Sequence, residues 1–167
     1  RYQNAKQLLR DLDLVLVSAT QGLGGGRVLP RGLLRERPAG LARAGVVLLT
    51  RADAVPPDSL AALRSEVARH LRPGIPVLAC RHAVTDLAST DGTRRSPAHA
   101  EGRRWFVAVG TGDPDSVLAT AKDAVKLAPL LNGSDLDLCV PHIRAVIDDP
   151  ARLESLVLAT ARRGLPV

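Results

Sequence analysis

A chain of 167 residues with 46% hydrophobic content can bury a core of its own, and a single α/β domain is the expectation. Aromatic residues are confined to Tyr2, Trp105 and Phe106, so the core has to be built from Leu, Val and Ala, which favours helices packed on aliphatic strands. The net charge of +6, with all of the 23 basic residues except Lys6, Lys122 and Lys126 being arginine, points to anionic partners, although charge alone does not choose among phosphate, nucleic acid and anionic lipid.

In chain order, the apolar runs Leu12 to Ser18, Gly45 to Thr50, Pro76 to Cys80, Trp105 to Gly110 and Leu136 to Val140 predict strands. All are brief and apolar rather than alternating, the pattern of strands covered on both faces. Between them, Asp58 to Leu71 predicts a helix with Asp58 as N-cap, an apolar stripe of Leu60, Leu63, Val67 and Leu71, and a stop at Arg72-Pro73-Gly74. Pro114 to Leu130 predicts a second helix. Pro150 to Arg163 predicts a third, which buries Leu153, Leu156 and Val157 and ends at Gly164. The order reads β-loop-α-β-α-β-loop-β-α-β-α. It predicts a three-layer α/β/α fold with a mostly parallel sheet. Residues 88–102, "ASTDGTRRSPAHAEG", predict an exposed loop or a small excursion. Cys80 and Cys139 lie far apart in apolar runs, so reduced core thiols and a cytoplasmic setting are expected. No apolar run approaches the ~18 residues of a membrane span, and no signal peptide is visible. The first residue is Arg rather than Met, which fits a missing upstream segment.

In a parallel sheet, ligands bind beyond the carboxyl ends of the strands. Three openings fall there. The first is "QGLGGGRVLPRGLLRERP", Gln21 to Pro38, where glycines and four arginines follow a strand directly. It fits no standard phosphate loop: GxxxxGK[ST] is absent, and Arg27 stands where GxGxxG needs its third glycine. Its glycines let backbone pass close to a ligand, Pro30 keeps the loop from winding into a helix, and Arg27 and Arg35 can converge on a phosphate. Glu36 would orient one arginine or satisfy a neighbouring amide. The alternative is a solvated basic loop whose glycines only turn the chain. The second opening, "GTGDPDS", is either a tight turn capped by Asp113 or a helix N-terminus that holds part of a substrate. The third is "CVPHIR", where His142 emerges directly after a strand as either a solvated loop histidine or a catalytic one.

The run from Tyr2 to Asp53, "YQNAKQLLRDLDLVLVSATQGLGGGRVLPRGLLRERPAGLARAGVVLLTRAD", resembles the middle of tetraacyldisaccharide 4'-kinase, the lipid A kinase family of Gram-negative bacteria. Members read D-D-G-F-Q-H, then R-D-L-D-I-V-x-x-D-A, then G-x-G-N-G-R-x-L-P-A-G-P-L-R-E-P, then a strand and T-R-A-D. Further on, "FVAVGTGDPDSVLATAKD" is similar to the family's G-I-G-N-P-x-x-F segment, and "CVPHI" lies where the family has F-P-D-H-H. Gln3 matches the glutamine after the acidic pair. Gly24, Gly26 and Arg27 match the G-x-G-N-G-R run, and Pro30, Gly32, Arg35 and Glu36 match P-x-G-x-L-R-E. Asn4 replaces a histidine, Ser18 an aspartate, Leu23 an aromatic residue, Gly25 an asparagine, and Leu33 and Arg37 two prolines.

The resemblance implies a P-loop NTPase-like fold, present in part, and a kinase that moves the γ-phosphoryl group of ATP, with Mg²⁺, onto the 4'-hydroxyl of tetraacyldisaccharide 1-phosphate. It implies Gln3, Gly24, Gly26, Arg27, Arg35 and Glu36 as substrate- or phosphate-binding residues and His142 as catalytic, with no metal ligand in this chain. The family's phosphate loop would lie upstream of Arg1, so ATP and Mg²⁺ would be bound mainly by segments outside these residues. The chain alone is then expected to be inactive. The partners implied are the lipid A disaccharide precursor and, through an amino-terminal segment, the inner membrane surface, to which the full-length protein would be peripheral on the cytoplasmic side. The competing classes are a non-catalytic α/β interaction module and an arginine-rich nucleic-acid-binding domain. Nucleic acid is not expected as a partner, because the arginines are spread along the chain and few aromatics are available for stacking.

Overall fold

A computed structural model of the chain describes residues 10–89, 92–101, 119–130 and 138–164. They divide into two compact units, one of the residues up to Arg81 together with those from Ala145 onward, the other of His82–Arg144. The expected strand Trp105 to Gly110, the "GTGDPDS" turn with Asp113, and Gln3 and Asn4 lie outside the described residues.

In the first unit, β1 (Leu14–Ser18), β2 (Val46–Thr50) and the start of β3 (Val77–Ser89) are hydrogen-bonded in parallel, with Leu14 opposite Val46, Ser18 opposite Thr50, and Val47 opposite Val77. Parallel neighbours require crossovers, and α1 (Pro57–Ala68) supplies the one between β2 and β3. Strand alternation sorts β2 between two layers. Val47 and Leu49 join Val17, Leu23, Leu63 and Val67 under α1, whereas Val46 and Leu48 join Leu78 under Leu153 and Leu156 of α3 (Pro150–Gly164). Helices on both faces of a mostly parallel sheet are the three-layer arrangement expected.

Several boundaries differ from expectation for local reasons. No α-helix separates β1 from β2; two 3-10 segments, Gly24–Gly26 and Pro38–Arg43, do so instead. Asp58 is not the N-cap of α1. Pro56 holds that position and Pro57 is the first helical residue, its fixed φ suiting a site whose N–H has no partner, and Asp58 sits in the first turn. The stripe itself is as expected: Leu63 and Val67 are buried, with Leu60 and Leu71 packed beside them. In α3, Leu153 and Leu156 pack on the sheet but Val157 is 45% exposed, one residue round the helix from that contact. Asp149 Oδ1 caps this helix by accepting the Arg152 N–H at 2.9 Å. Asp148 ties α3's entry to the sheet, accepting from Ala79 N at 2.9 Å and from Arg64 Nη2 at 3.0 Å. Cys80 and Cys139 are buried and unbridged, and burial, helped by Asp53 and Asp148, pushes the Cys80 thiol above its ordinary pKa.

In the second unit β3 runs on to Ser89, nine residues beyond the end expected at Cys80. β4 (Arg94–Arg95) pairs back on it, Leu87 opposite Arg95, through a turn in which Gly92 has φ +84°. Of residues 88–102, those described include β4 and a 3-10 segment, Pro97–Ala100, capped by Ser96. β5 (Cys139–Ile147) pairs with β3. Thr85 Oγ1 donates to His142 O at 3.2 Å and Ser89 Oγ meets Cys139 Sγ at 3.6 Å, so rising numbers in one strand meet falling numbers in the other, as in an antiparallel pair. Of the helix expected over Pro114 to Leu130, the described part is α2 (Ala121–Leu127) with a 3-10 turn to Leu130. Thr120 starts it, its hydroxyl accepting from Asp123 N at 3.3 Å and donating to Asp123 Oδ2 at 2.7 Å.

Candidate functional site

The chain leaves β1 at its carboxyl end through a tight turn, with Ser18 O accepting the amides of Gln21 at 3.2 Å and Gly22 at 2.8 Å. Leu23 is buried in the core beneath α1 and anchors the loop at its start. At Gly24 and Gly26 φ is +54° and +72°, the left-handed region that a side chain disfavours, so glycine is needed there for the chain to reverse so sharply. Residues 27–34 then close on themselves: Arg27 O accepts Leu34 N at 3.2 Å, Leu34 O accepts Leu29 N at 2.8 Å, and Val28 O accepts Arg31 N at 3.0 Å. The closed turn carries Arg27 on one arm and Arg35 just past the other. The far end is anchored where Leu41, in the 3-10 segment, enters the same core as Leu23.

This loop is therefore a built turn held at both ends. Arg27, Arg31, Arg35 and Arg37 are all exposed on it. The sole acid among them, Glu36, forms an ion pair with Arg43, itself outside the 27–37 turn. Glu36 thus orients an arginine, Arg43. Both partners are roughly half exposed, so the pair contributes little stability. Arg43 as that partner was not legible in the sequence, because it lies seven residues on and across a turn.

Gly32 has a different reason from the left-handed glycines. A Cβ there would run into the Arg27 carbonyl group, 2.7 Å from its carbon and nearer to its oxygen, whereas a Cβ at Gly26 would meet nothing within 4 Å. Gly26→Ala is therefore expected to cost about 1 kcal/mol through backbone strain alone. Gly32→Ala is expected to cost about 3 kcal/mol, since backbone has to move out of the way. Urea unfolding of the two variants checks the order. An equal or smaller loss at Gly32 would mean that the 27–34 turn yields freely.

His142 belongs to the second unit and does not sit at a strand end. β5 continues through it to Ile147 and pairs with β3. Its Nδ1 lies 2.8 Å from Asp86 Oδ1, without hydrogen-bond alignment, so Oδ1 has no aligned donor. Asp86 Oδ2 accepts from Thr85 Oγ1 at 3.2 Å and from Arg94 Nη1 at 3.5 Å. The chain thus brings Gly24, Gly26, Arg27, Arg35 and Glu36 into one loop of the first unit. His142 is engaged by Asp86 in the second. Asp86 went unnoticed in the sequence because it lies past the apolar run that marked the strand. Among the described residues there is no group of three His, Cys, Asp or Glu that could hold a metal ion.

The family model of tetraacyldisaccharide-1-P 4'-kinase matches residues 2–120, which include the whole Gln21–Pro38 loop and stop short of His142. The tetraacyldisaccharide 4'-kinase of Anaeromyxobacter dehalogenans (strain 2CP-C) is 42% identical over 118 residues, covering 69% of this chain and 30% of that one. That of Syntrophobacter fumaroxidans is 41% identical over 158 residues, covering 91% of this chain and 38% of that one. The chain thus spans about a third of the length of these curated relatives. Among solved structures, LpxK from Aquifex aeolicus in complex with ATP superposes with a TM-score of 0.63 at 16% identity, covering 95% of this chain and 55% of that one, a likeness of fold. The match over most of the chain, with the identity of the relatives, places it by descent: it belongs to the tetraacyldisaccharide-1-P 4'-kinase family.

Proposed function

We propose that this chain is part of an ATP-dependent lipid kinase that phosphorylates the 4'-hydroxyl of tetraacyldisaccharide 1-phosphate, and that the Gln21–Pro38 loop holds a phosphate group during the reaction. The observation that carries the reading is the loop itself. It is an anchored turn at the carboxyl end of a parallel strand, it lies within the family match, and Arg27 and Arg35 sit on neighbouring arms of it. Guanidinium suits a phosphate because its planar fork donates two parallel charge-assisted hydrogen bonds and stays ionised at every working pH. Fixed donors of this kind supply most of what phosphoryl transfer asks of a protein, namely positioning and charge stabilisation. ATP fits the donor set of the loop through its phosphates. Mg²⁺, which would supply neutralisation of developing charge, finds no ligand cluster among the described residues, and none is assigned to it.

The reading also includes a place of work, the cytoplasmic face of the inner membrane, where a lipid substrate of this kind is presented. No helix among the described residues is long and apolar enough to cross a membrane. The test is phosphoryl transfer by the full-length natural protein that carries this segment, from γ-labelled ATP to tetraacyldisaccharide 1-phosphate in mixed micelles. Label should appear at the 4' position only when Mg²⁺ is present. ATP consumption with no labelled lipid would overturn the proposal.

A further inference from the structure

The closed turn of the arginine loop ends in an apolar tip. Because Leu34 O accepts Leu29 N at 2.8 Å and Arg27 O accepts Leu34 N at 3.2 Å, Leu29 and Leu33 are held close together across the turn, with Pro30, Arg31 and Gly32 between them. Leu34 is half-buried, its side chain 3.5 Å from where a Cβ on Gly24 would stand. Leu33 and Leu29 do not follow it inwards: they are 75% and 57% exposed. Single exposed leucines are ordinary, but two fixed side by side on a turn held by backbone bonds form a small apolar surface already in place. The same loop carries Arg31, between the two leucines, and Arg37, both exposed, while its one carboxylate, Glu36, is engaged by Arg43. Arg31, Leu33 and Arg37 all stand where the family pattern has a small residue or a proline, so the basic and apolar tip is a feature of this chain rather than of the phosphate-holding pattern.

We propose that this tip docks on an anionic lipid bilayer, with Leu29 and Leu33 entering the boundary between headgroups and acyl chains and with Arg31 and Arg37 bonding lipid phosphates beside them. Charge complementarity selects that occupant. Each arginine adds attraction to an anionic leaflet, and its apolar stem lets the guanidinium stay at headgroup level while the leucines go deeper. Neither signal suffices alone: two leucines give weak, reversible insertion and charge gives attraction without depth, whereas together they are the two signals that lasting attachment to a bilayer needs. Nucleic acid offers phosphates too, but it would leave the leucines in water, because leucine has no ring on which a base can stack. The proposal does not rest on the kinase reading, since it uses the two arginines that reading leaves idle.

Co-sedimentation of the chain with lipid vesicles, in the absence of ATP and of any disaccharide, tests it. Vesicles rich in phosphatidylglycerol should be bound about tenfold more tightly or better than vesicles of phosphatidylcholine alone, an advantage that salt reduces. At constant charge, Leu29→Ser combined with Leu33→Ser should weaken binding about tenfold or more, and Arg31→Ala should weaken it roughly fivefold. Val125→Ser, at a 75% exposed side chain of α2, should leave it unchanged. Both native cysteines are buried, so an environment-sensitive fluorophore on Leu33→Cys reports the tip alone. Its emission should shift to the blue on phosphatidylglycerol vesicles, and that of the same probe on Val125→Cys should not, a readout that does not depend on the serine variant folding. Undiminished binding of the double serine variant would overturn the proposal, as would an unshifted probe at Leu33→Cys or equal binding to both kinds of vesicle. A dimer of the chain abolished by the serine changes would overturn it in favour of a second copy as occupant, and binding to oligothymidylate with vesicles ignored would do so in favour of nucleic acid.

Discussion

Replacing Leu49 by alanine is expected to lower the unfolding free energy of the chain by about 2–5 kcal/mol, much of what holds a domain of this size together. Leu49 is fully buried in β2, the strand between β1 and β3. Its ladder neighbours are Val17 on one side and Ala79 on the other, and its side chain enters the cluster beneath α1 with Leu63 and Val67. Truncation removes the transfer free energy of the lost carbons and leaves a space that cannot close, because both flanking strands are hydrogen-bonded in register and the helix above is held by Leu63 and Val67. Leu16→Ala is the control in the same sheet. Its side chain is mostly in water in the isolated chain, so the change should stay within about 0.5 kcal/mol. Urea unfolding followed by circular dichroism measures both, with an unchanged slope required for the comparison. A loss below about 1 kcal/mol for Leu49→Ala would mean that the core is not organised around β2.

The same contrast shows what was legible in the sequence. Leu12 to Ser18, Gly45 to Thr50 and Pro76 to Cys80 are aliphatic runs, and a run signals a strand whichever layer covers it. β1, β2 and the start of β3 were accordingly placed within two residues of their ends. The stripe of α1 was legible for a similar reason, as Leu60, Leu63 and Val67 recur at helical spacing. The remainder of β3, from Arg81 to Ser89, mixes exposed Arg81, His82 and Thr85 with buried Leu87, and its strand character comes from pairing with β4 and β5 rather than from any run. Pairing partners distant in sequence leave no local trace. His142 was therefore set beyond its strand when β5 passes through it, and Asp86, the carboxylate beside it from 56 positions away, went unseen. Exposure at an edge was hidden too, since Leu14 and Leu16 read like any buried strand until their neighbours are known. The arginine loop lay between these cases: composition marked it as special, the family match gave its positions a reason, and the folded turn joined Arg27 to Leu34.

In the kinase proposed above, Arg27→Ala and Arg35→Ala are each expected to reduce kcat/KM by roughly ten- to a hundredfold, equivalent to about 1.5–3 kcal/mol of lost charge-assisted hydrogen bonding. Arg27→Ala should not shift the melting temperature, because its side chain is exposed and the turn beneath it is held by backbone bonds from Arg27 O, Leu34 O and Val28 O. Lysine keeps the charge but not the planar fork, so Arg35→Lys should restore only part of the loss. Arg31 and Arg37 lie on the same exposed loop and carry the same charge, yet family members resembling this chain have a small residue and a proline at those positions. Alanine at either should be nearly silent. The four single variants share net charge, which removes long-range attraction as an explanation for any difference among them. Raising the salt concentration sharpens the comparison, since diffuse attraction is screened over about 10 Å at 0.1 M whereas a direct bidentate contact persists. Small and equal effects at all four positions would leave the loop as a diffuse positive surface, and a separate phosphate contact would have to be sought elsewhere in the full-length chain.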